Sequence, residues 1–220
     1  MVKPAATPVS TLVLVPTRLE LDGMGGASAF AAADVRVELC GFGPIAAAAR
    51  CATLVGQCTP RLVILAGVAG SYDLRAFPLG AVRELASVAF DGLAGTDSFP
   101  QWESAGADVI RDRLALRPQA APIPAAPTAT IELVTVLAPA RSETEADARR
   151  SRFRGALAED MEGFGVALAC ALGRVPLCIV RGASNSVGER DKSQWRVTAA
   201  LTAVAQHVER LLRLATKDGR

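Results

Sequence analysis

Asp160-Met161-Glu162-Gly163-Phe164-Gly165 is followed by an apolar run over residues 166–172, a break at Gly173-Arg174-Val175-Pro176, and a second apolar run over residues 177–180. That second run ends in Arg181-Gly182-Ala183-Ser184-Asn185. The order is acid, helix, turn, buried strand, then an arginine and a Ser-Asn pair at the strand's carboxyl end. It decides the fold, because an open α/β sheet collects its ligands in the crevice beyond the carboxyl ends of its strands. Taken alone, Glu162 also fits a plainer part, that of an acid compensating the dipole at a helix start.

Working outward toward the amino end, Thr11-Leu12-Val13-Leu14-Val15 reads as a strand covered on both faces. It stops at Pro16-Thr17, and Glu20 follows at once, where a carboxylate can reach the crevice. The plainer reading of Glu20 is a solvated acid in a first helical turn. Val35-Arg36-Val37-Glu38-Leu39 alternates apolar and polar residues, as a half-exposed strand does. Gly41-Phe42-Gly43-Pro44 then turns into an Ala-rich helix over residues 45–54. This Gly-x-Gly lacks the third glycine of a dinucleotide site and reads as a tight strand-to-helix turn. Arg61-Leu62-Val63-Ile64-Leu65 is a second buried strand, leaving into a Gly-rich loop over residues 66–71. Glycines there let backbone N–H groups approach a ligand closely.

The middle of the chain is less regular. A strand is expected over residues 79–88, then a polar-aromatic loop over residues 90–102 that carries Asp91, Asp97, Phe99 and Trp102. Pro118, Pro122, Pro124 and Pro127 mark residues 117–130 as an exposed connector. Beyond it come a β-branched strand over 130–137, a charged surface helix over 142–154, the helical region 157–172 that bears Glu162, and an amphipathic closing helix over 195–214. His207 lies on that last helix, far in sequence from the other motif residues, and reads as a structural or surface histidine.

Composition narrows the class. The chain has 220 residues, half of them apolar and only 21% charged, which suits one large folded domain rather than a disordered chain. A formal charge of +2, with arginines scattered rather than blocked, argues against nucleic acid and against an anionic membrane surface. Five cysteines, with no CxxC pair and no metal-ligand spacing to the single histidine, read as buried free thiols in a reducing cytoplasm. No basic-then-apolar signal segment opens the chain, and no apolar run reaches the length of a membrane span. A soluble cytoplasmic protein is expected.

Met161-Glu162-Gly163, Val175-Pro176, Arg181, Ser184-Asn185 and Trp195, in this order and spacing, resemble the purine nucleoside phosphorylase and nucleosidase superfamily, and within it the futalosine hydrolase family. The likeness extends over residues 11–208. It implies an α/β fold of three layers, α/β/α, around a central mixed, twisted sheet. The domain would run over residues 11–215, with flexible termini at 1–10 and 216–220. It also implies a homodimer, a small-molecule purine nucleoside as partner, and no metal or organic cofactor. On this resemblance Glu20, in Thr17-x-x-Glu20, activates water, and Arg181 helps hold that water and the Glu20 carboxylate. Ala69 and Gly70 line the ribose and the water. Met161 packs against the sugar, Glu162 binds its hydroxyls, and Ser184 supports Asn185 at the leaving base. Three positions depart from the pattern: Val68 stands where methylthioadenosine nucleosidases carry Ser, Ala81 where Asp is usual, and no aromatic residue lies near 139–144.

The chemistry asks for the same residue types. Cleaving an N-ribosidic bond builds positive charge on the sugar, which a carboxylate stabilises. It also drives electrons into the base, which a hydrogen-bond donor must meet, while a base prepares the nucleophile on the other side. Asn185 discriminates among substrates, since an amide has one donor and one acceptor end. It suits a 6-oxopurine, whereas relatives that release adenine carry Asp there. The expected reaction is hydrolysis of futalosine to hypoxanthine and dehypoxanthinyl futalosine, a step toward menaquinone. Arg18, Arg141 and Arg190 are the candidates to pair with the substrate's benzoate. Pro16-Thr17-Arg18 offers no Gly-rich anion loop, so water is expected rather than phosphate. The rival readings are a methylthioadenosine or adenosylhomocysteine nucleosidase, a 6-oxopurine nucleoside phosphorylase, and a non-catalytic nucleoside-binding protein.

Overall fold

Successive residues of the first strand serve different layers. Thr11–Val15 (β1) is buried throughout, with Leu12 and Leu14 in one apolar cluster and Val13 and Val15 in another. A strand sends alternate side chains to opposite faces, so a run this apolar must be covered on both. The computed structural model describes residues 9–32, 34–92, 113–115 and 132–217. In it β1 is followed by the helix Arg18–Gly23 (α1), strand Val35–Leu39 (β2), helix Pro44–Cys58 (α2) and strand Leu62–Ser71 (β3). Next come the strands Val82–Leu85 (β4), Ser87–Asp91 (β5), Arg113–Ala115 (β6) and Glu132–Val136 (β7), and the helix Glu143–Arg152 (α3). Strand Ala156–Asp160 (β8), helix Gly163–Gly173 (α4), strand Leu177–Ser186 (β9) and helix Val197–Lys217 (α5) complete the order.

The strands form one sheet of nine among the described residues. It is mixed: β2, β1, β3 and β9 run parallel, as do β8, β7 and β5, whereas β8 is antiparallel to β3, β4 to β9, and β6 to β5. On one face α2 and α4 cover Leu12, Leu14, Val63, Leu65 and Ile179. On the other, Leu201, Val204, Val208 and Leu211 of α5, spaced three and four apart, cover Val13, Val15, Ile64 and Val180. The α/β/α layering and the mixed sheet expected of the sequence are therefore what the chain forms. Gly165 allows α2 and α4 their close approach: a Cβ there would stand 2.1 Å from the Pro44 carbonyl oxygen.

One irregularity prepares the site. β9 pairs with β3 from Val63 to Ser71, so β9 holds one edge of β3 throughout. The opposite edge is shared. β1 occupies it from Leu62 to Leu65, and β8 takes it over only at Gly70 and Ser71. Between them the edge at residues 66–69 has no strand partner, and the carboxyl ends of β1 and β8 diverge around it.

Three sequence expectations change in detail. Residues 66–71 do not leave the sheet as a Gly-rich loop, because β9 supplies their ladder, with a bulge at Ala69 and Gly70. The helical region expected over 157–172 divides, since pairing with β7 and β3 keeps residues up to Asp160 extended and the helix begins at Gly163. The strand expected over 79–88 is two strands, β4 and β5, with different partners, β9 and β7. Beyond residue 92 the polar-aromatic loop lies outside the described residues, as does the proline-rich connector. All five cysteines are unpaired, four of them buried. His207 accompanies Glu84 of β4 at 2.6 Å. Among the described residues no helix is long and apolar enough to cross a membrane.

Candidate active site

A cavity of about 330 Å³ opens where β1 and β8 part, lined by residues just beyond β1 and at the ends of β3, β7, β8 and β9. Glu20 enters it from α1. Thr17 caps this helix, its Oγ1 accepting from the Glu20 backbone N–H at 3.2 Å and donating to the Glu20 carboxylate at 2.7 Å. The Thr-x-x-Glu spacing thus works locally as a capping pair. The other carboxylate oxygen accepts from the Val68 N–H at 3.1 Å. That amide lies on the unpartnered edge of β3, so Glu20 satisfies a donor that the sheet leaves open. Glu20 is buried, yet lines the cavity.

Arg181 sits beneath, wholly buried. Its Nε donates to Asp160 Oδ2 at 3.0 Å, and its Nη2 also bonds that oxygen and lies 3.5 Å from Glu162 Oε2. Its Nη1 has no hydrogen-bond partner among the described residues. Burial opposes the guanidinium charge, but Asp160, Glu162 and Glu20 together outweigh it and hold Arg181 above its ordinary value. Asp160 is fixed in turn by the Thr135 hydroxyl at 2.6 Å and the Gly163 N–H at 2.9 Å. Gly67 is required here, since a Cβ would stand 2.5 Å from Nη1 and 2.7 Å from Glu20 Oε1.

Glu162 precedes α4 directly, and its Oε1 accepts from the Gly43 N–H at 3.0 Å. The turn expected at Gly41-Phe42-Gly43 therefore holds an acid. Burial pushes the Glu162 carboxyl up to about 7. Arg181 and the Gly43 amide pull the other way, while Asp160 and Glu20 add to the rise. An acid so placed changes charge near neutrality, as functional acids commonly do.

Asn185 closes the opposite wall. Its Oδ1 accepts from Ser184 Oγ at 2.7 Å, and its Nδ2 donates to the Ser186 carbonyl at 2.8 Å. The Ala69 carbonyl oxygen, 3.2 Å away, is the alternative acceptor for the single Ser184 hydroxyl hydrogen. One Nδ2 hydrogen is left over, because an amide nitrogen carries two. Met161, Ala69, Gly70 and Trp195 complete the lining near Asn185 and Glu162.

The structure thus brings Glu20, Met161, Glu162, Ala69, Gly70, Ser184 and Asn185 around one cavity, with Arg181 under its floor. One expectation changes: Arg181 makes no hydrogen bond to Glu20, and its first partner is Asp160. Asp160, Thr135 and Gly67 were not singled out from the sequence. The quoted motif begins with Asp160, and that adjacency to Met161-Glu162 was the available signal. Of the arginines considered for a substrate carboxylate, Arg190 lines the cavity, while Arg18 and Arg141 do not. Ala81 lies off it as well, bonded through its backbone to Pro78 and Ala183. Among the described residues no group of three or more His, Cys, Asp or Glu side chains is arranged to hold a metal ion.

The α/β sheet thus gathers acids at its strand ends around a small, half-open cleft. The chain belongs to the phosphorylase superfamily, whose family model matches residues 28–217. It is similar to a curated futalosine hydrolase of Streptomyces coelicolor, with 52% identity over 62 residues, a match that spans 28% of this chain and only 26% of the relative's length. Among solved structures it resembles a 5′-methylthioadenosine/S-adenosylhomocysteine nucleosidase of Colwellia psychrerythraea, with a TM-score of 0.75 at 16% identity over 96% of this chain and 97% of that one. It also resembles the futalosine hydrolase of Helicobacter pylori, with a TM-score of 0.67 at 14% identity over 96% and 98%. At these identities the structural likeness concerns the fold.

Proposed function

We propose that the chain is an N-ribosyl hydrolase of 6-oxopurine nucleosides, with futalosine as its substrate and hypoxanthine and dehypoxanthinyl futalosine as products. What carries the reading is the meeting of Glu20, Glu162 and Asn185, from three distant parts of the chain, around one cavity. The similarity to a curated futalosine hydrolase supports the choice of substrate.

Glu162, when ionised, accepts the ribose hydroxyls and favours positive charge on the ring, and Met161 packs against the sugar. Glu20 takes a proton from water. The water oxygen bonds to C1′ as the C1′–N9 bond breaks, and N9 departs with the electron pair; the purinyl anion then takes a proton from solvent to become hypoxanthine, and Glu20 gives its proton up to solvent. Arg181, buried beneath the cavity, sets its positive charge against the Glu20 and Glu162 carboxylates. The spare Nδ2 hydrogen of Asn185 meets N7 or O6 of the departing base. Ser184 holds the amide in that sense by donating to Oδ1. The amide keeps one acceptor position on Oδ1 and one hydrogen on Nδ2, and it is the hydrogen that a 6-oxo group would take.

A second partner in this reading is another copy of the chain. Leu19, Phe42 and Ile45 remain 70%, 66% and 78% exposed, and Leu19 and Phe42 also stand at the cavity wall. Large apolar side chains clustered in this way mark interaction surfaces. The free thiols suit a reducing cytoplasm.

The test is incubation of the purified protein with futalosine, inosine and methylthioadenosine, with and without phosphate, followed by assay of the released base. Hypoxanthine released from futalosine without phosphate is expected. Adenine alone would overturn the substrate, and a phosphate requirement would overturn hydrolysis. Asn185→Asp is expected to lower kcat/KM on futalosine by about tenfold or more, the worth of one hydrogen bond to a developing charge.

A further inference from the structure

Residues 137–141 leave the end of β7 without a strand to pair with, since the ladder with β8 stops at Thr135 and that with β5 at Val136. Leu137, Ala138 and Pro139 are exposed, yet Pro139 and Ala140 line the cavity. The wall they make lies on the side of Asn185. Val187, just beyond that amide, stands over Gly70 and packs with Ala140 and with Ala146 of α3. Gly188 then meets the start of α3, where a Cβ would stand 2.7 Å from the Ser142 carbonyl oxygen. A wall without a ladder needs other partners for its backbone.

Arg149 of α3 supplies them from both ends. Its Nη2 donates to the Ala138 carbonyl oxygen at 3.4 Å, and its Nη1 donates to Glu159 Oε2 at 2.6 Å. The other oxygen of that carboxylate accepts from the Ala140 N–H at 2.9 Å. Nε donates to Asp91 of β5 at 2.6 Å, and the Tyr72 hydroxyl steadies Glu159 at 2.7 Å. One planar guanidinium thus ties β5, β8 and the unpaired segment together, with its donors set in a fixed fork. The side chains of Arg149, Asp91 and Glu159 are only 14%, 10% and 6% exposed, so solvent screens them little. Ala146 is the one buried residue of α3, so charge more than apolar contact docks this helix.

We propose that Arg149 is a positioning residue, fixing Pro139 and Ala140 through Ala138, Glu159 and Asp91 so that the cavity wall beside Asn185 is in place before substrate arrives. This rests on the nucleosidase reading above and deepens it, by naming what presets that wall. A wall left free would be in place only part of the time, and apparent affinity falls by that fraction. Substrate, once bound, holds the wall itself, so turnover at saturation survives. Loss of the fork therefore shows in KM rather than in kcat. A guanidinium that served the fold alone would do the reverse, lowering the active fraction at unchanged KM.

The experiment measures kcat and KM for futalosine in the wild type, Arg149→Lys and Asp91→Asn, with Arg150→Lys as the control. Lysine keeps the charge and gives up the fork. Arg149→Lys is expected to raise KM about tenfold, as for a wall in place a tenth of the time, with kcat held within about threefold. Asp91→Asn, which lies off the cavity, should raise KM in the same sense. Arg150, on the same helix, bonds the Tyr72 carbonyl oxygen and Asp73, and Arg150→Lys should leave both constants alone. Hydrogen exchange read by mass spectrometry over residues 137–142 needs no variant to fold. The Ala140 amide should exchange slowly in the wild type, and faster in Arg149→Lys. An unchanged KM in folded Arg149→Lys, a fall in kcat alone, or a wild-type Ala140 amide that exchanges as fast as an open loop overturns the assignment while leaving the hydrolase reading intact. A wild type that releases no hypoxanthine from futalosine overturns both.

Discussion

Glu162 changes charge near neutrality. Its carboxyl lies near 7 chiefly because it is buried, yet the proposed contact with the ribose requires it ionised. kcat/KM for futalosine is therefore expected to fall as pH drops below about 7 and to lose that limb in Glu162→Gln. The variant should also be about a hundredfold slower above neutrality, the upper end for a charged hydrogen bond. Stability runs the opposite way. A raised acid binds its proton more tightly in the folded chain, so its stabilisation is complete below the ordinary value of 4.5 and is lost as pH rises through about 7. Melting curves of the wild type and Glu162→Gln across that window check the sign: the wild type should lose ground to the variant as pH rises. That Glu162, Glu20 and Asn185 belong together was legible only through their motifs, Met161-Glu162-Gly163, Thr17-x-x-Glu20 and Ser184-Asn185, since each acid alone also fits a structural part. Asp160, Thr135 and Glu159 were not. Their meaning lies in partners fixed by the register of β7, β8 and β3, and Thr135 is 25 residues from the Asp160 it holds.

At the scale of elements, α1 shows how a short helix can serve chemistry. Six residues give it little stability of their own, and Thr17 both caps it and grips the Glu20 carboxylate. Thr17→Val should cost about 1 kcal/mol of stability, the usual worth of a cap. It should cost more in kcat than that figure implies, whereas Thr17→Ser should retain both; denaturant titration beside steady-state kinetics separates the two effects. β1 could be read from composition alone, because five apolar residues in a row demand cover on both faces. β3 could be read only in part. Its glycines at 67 and 70 signal a loop in isolation, and only the distant β9 reveals that they stay in the ladder. The division of residues 157–172 into strand and helix was hidden for the same reason, since Ala and Leu suit either form until β7 pairs with the first half.

At the scale of the whole molecule, Leu19, Phe42 and Ile45 form an apolar rim beside the cavity. If a second copy covers it, sedimentation should give a dimer. Ile45→Lys should shift that dimer toward monomer and raise KM for futalosine, while a lysine at the exposed Leu214 of α5 should change neither. The layering was legible from alternating strand and helix signals. The handover from β1 to β8 along one edge of β3 was not, because no local pattern records which strand yields to which.

That handover has a consequence for the life of the chain. Glu20 leaves the ribosome early, Glu162 late, and Arg181 and Asn185 later still. The Val68 amide that steadies Glu20 belongs to a strand whose far edge is completed only by β9. A nascent chain halted after α4 would carry both acids yet lack Arg181 beneath them and Asn185 at the cavity wall. Catalytic competence would then arrive in one step near the end of synthesis, and during unfolding it should vanish together with the sheet, without a partly active form in between.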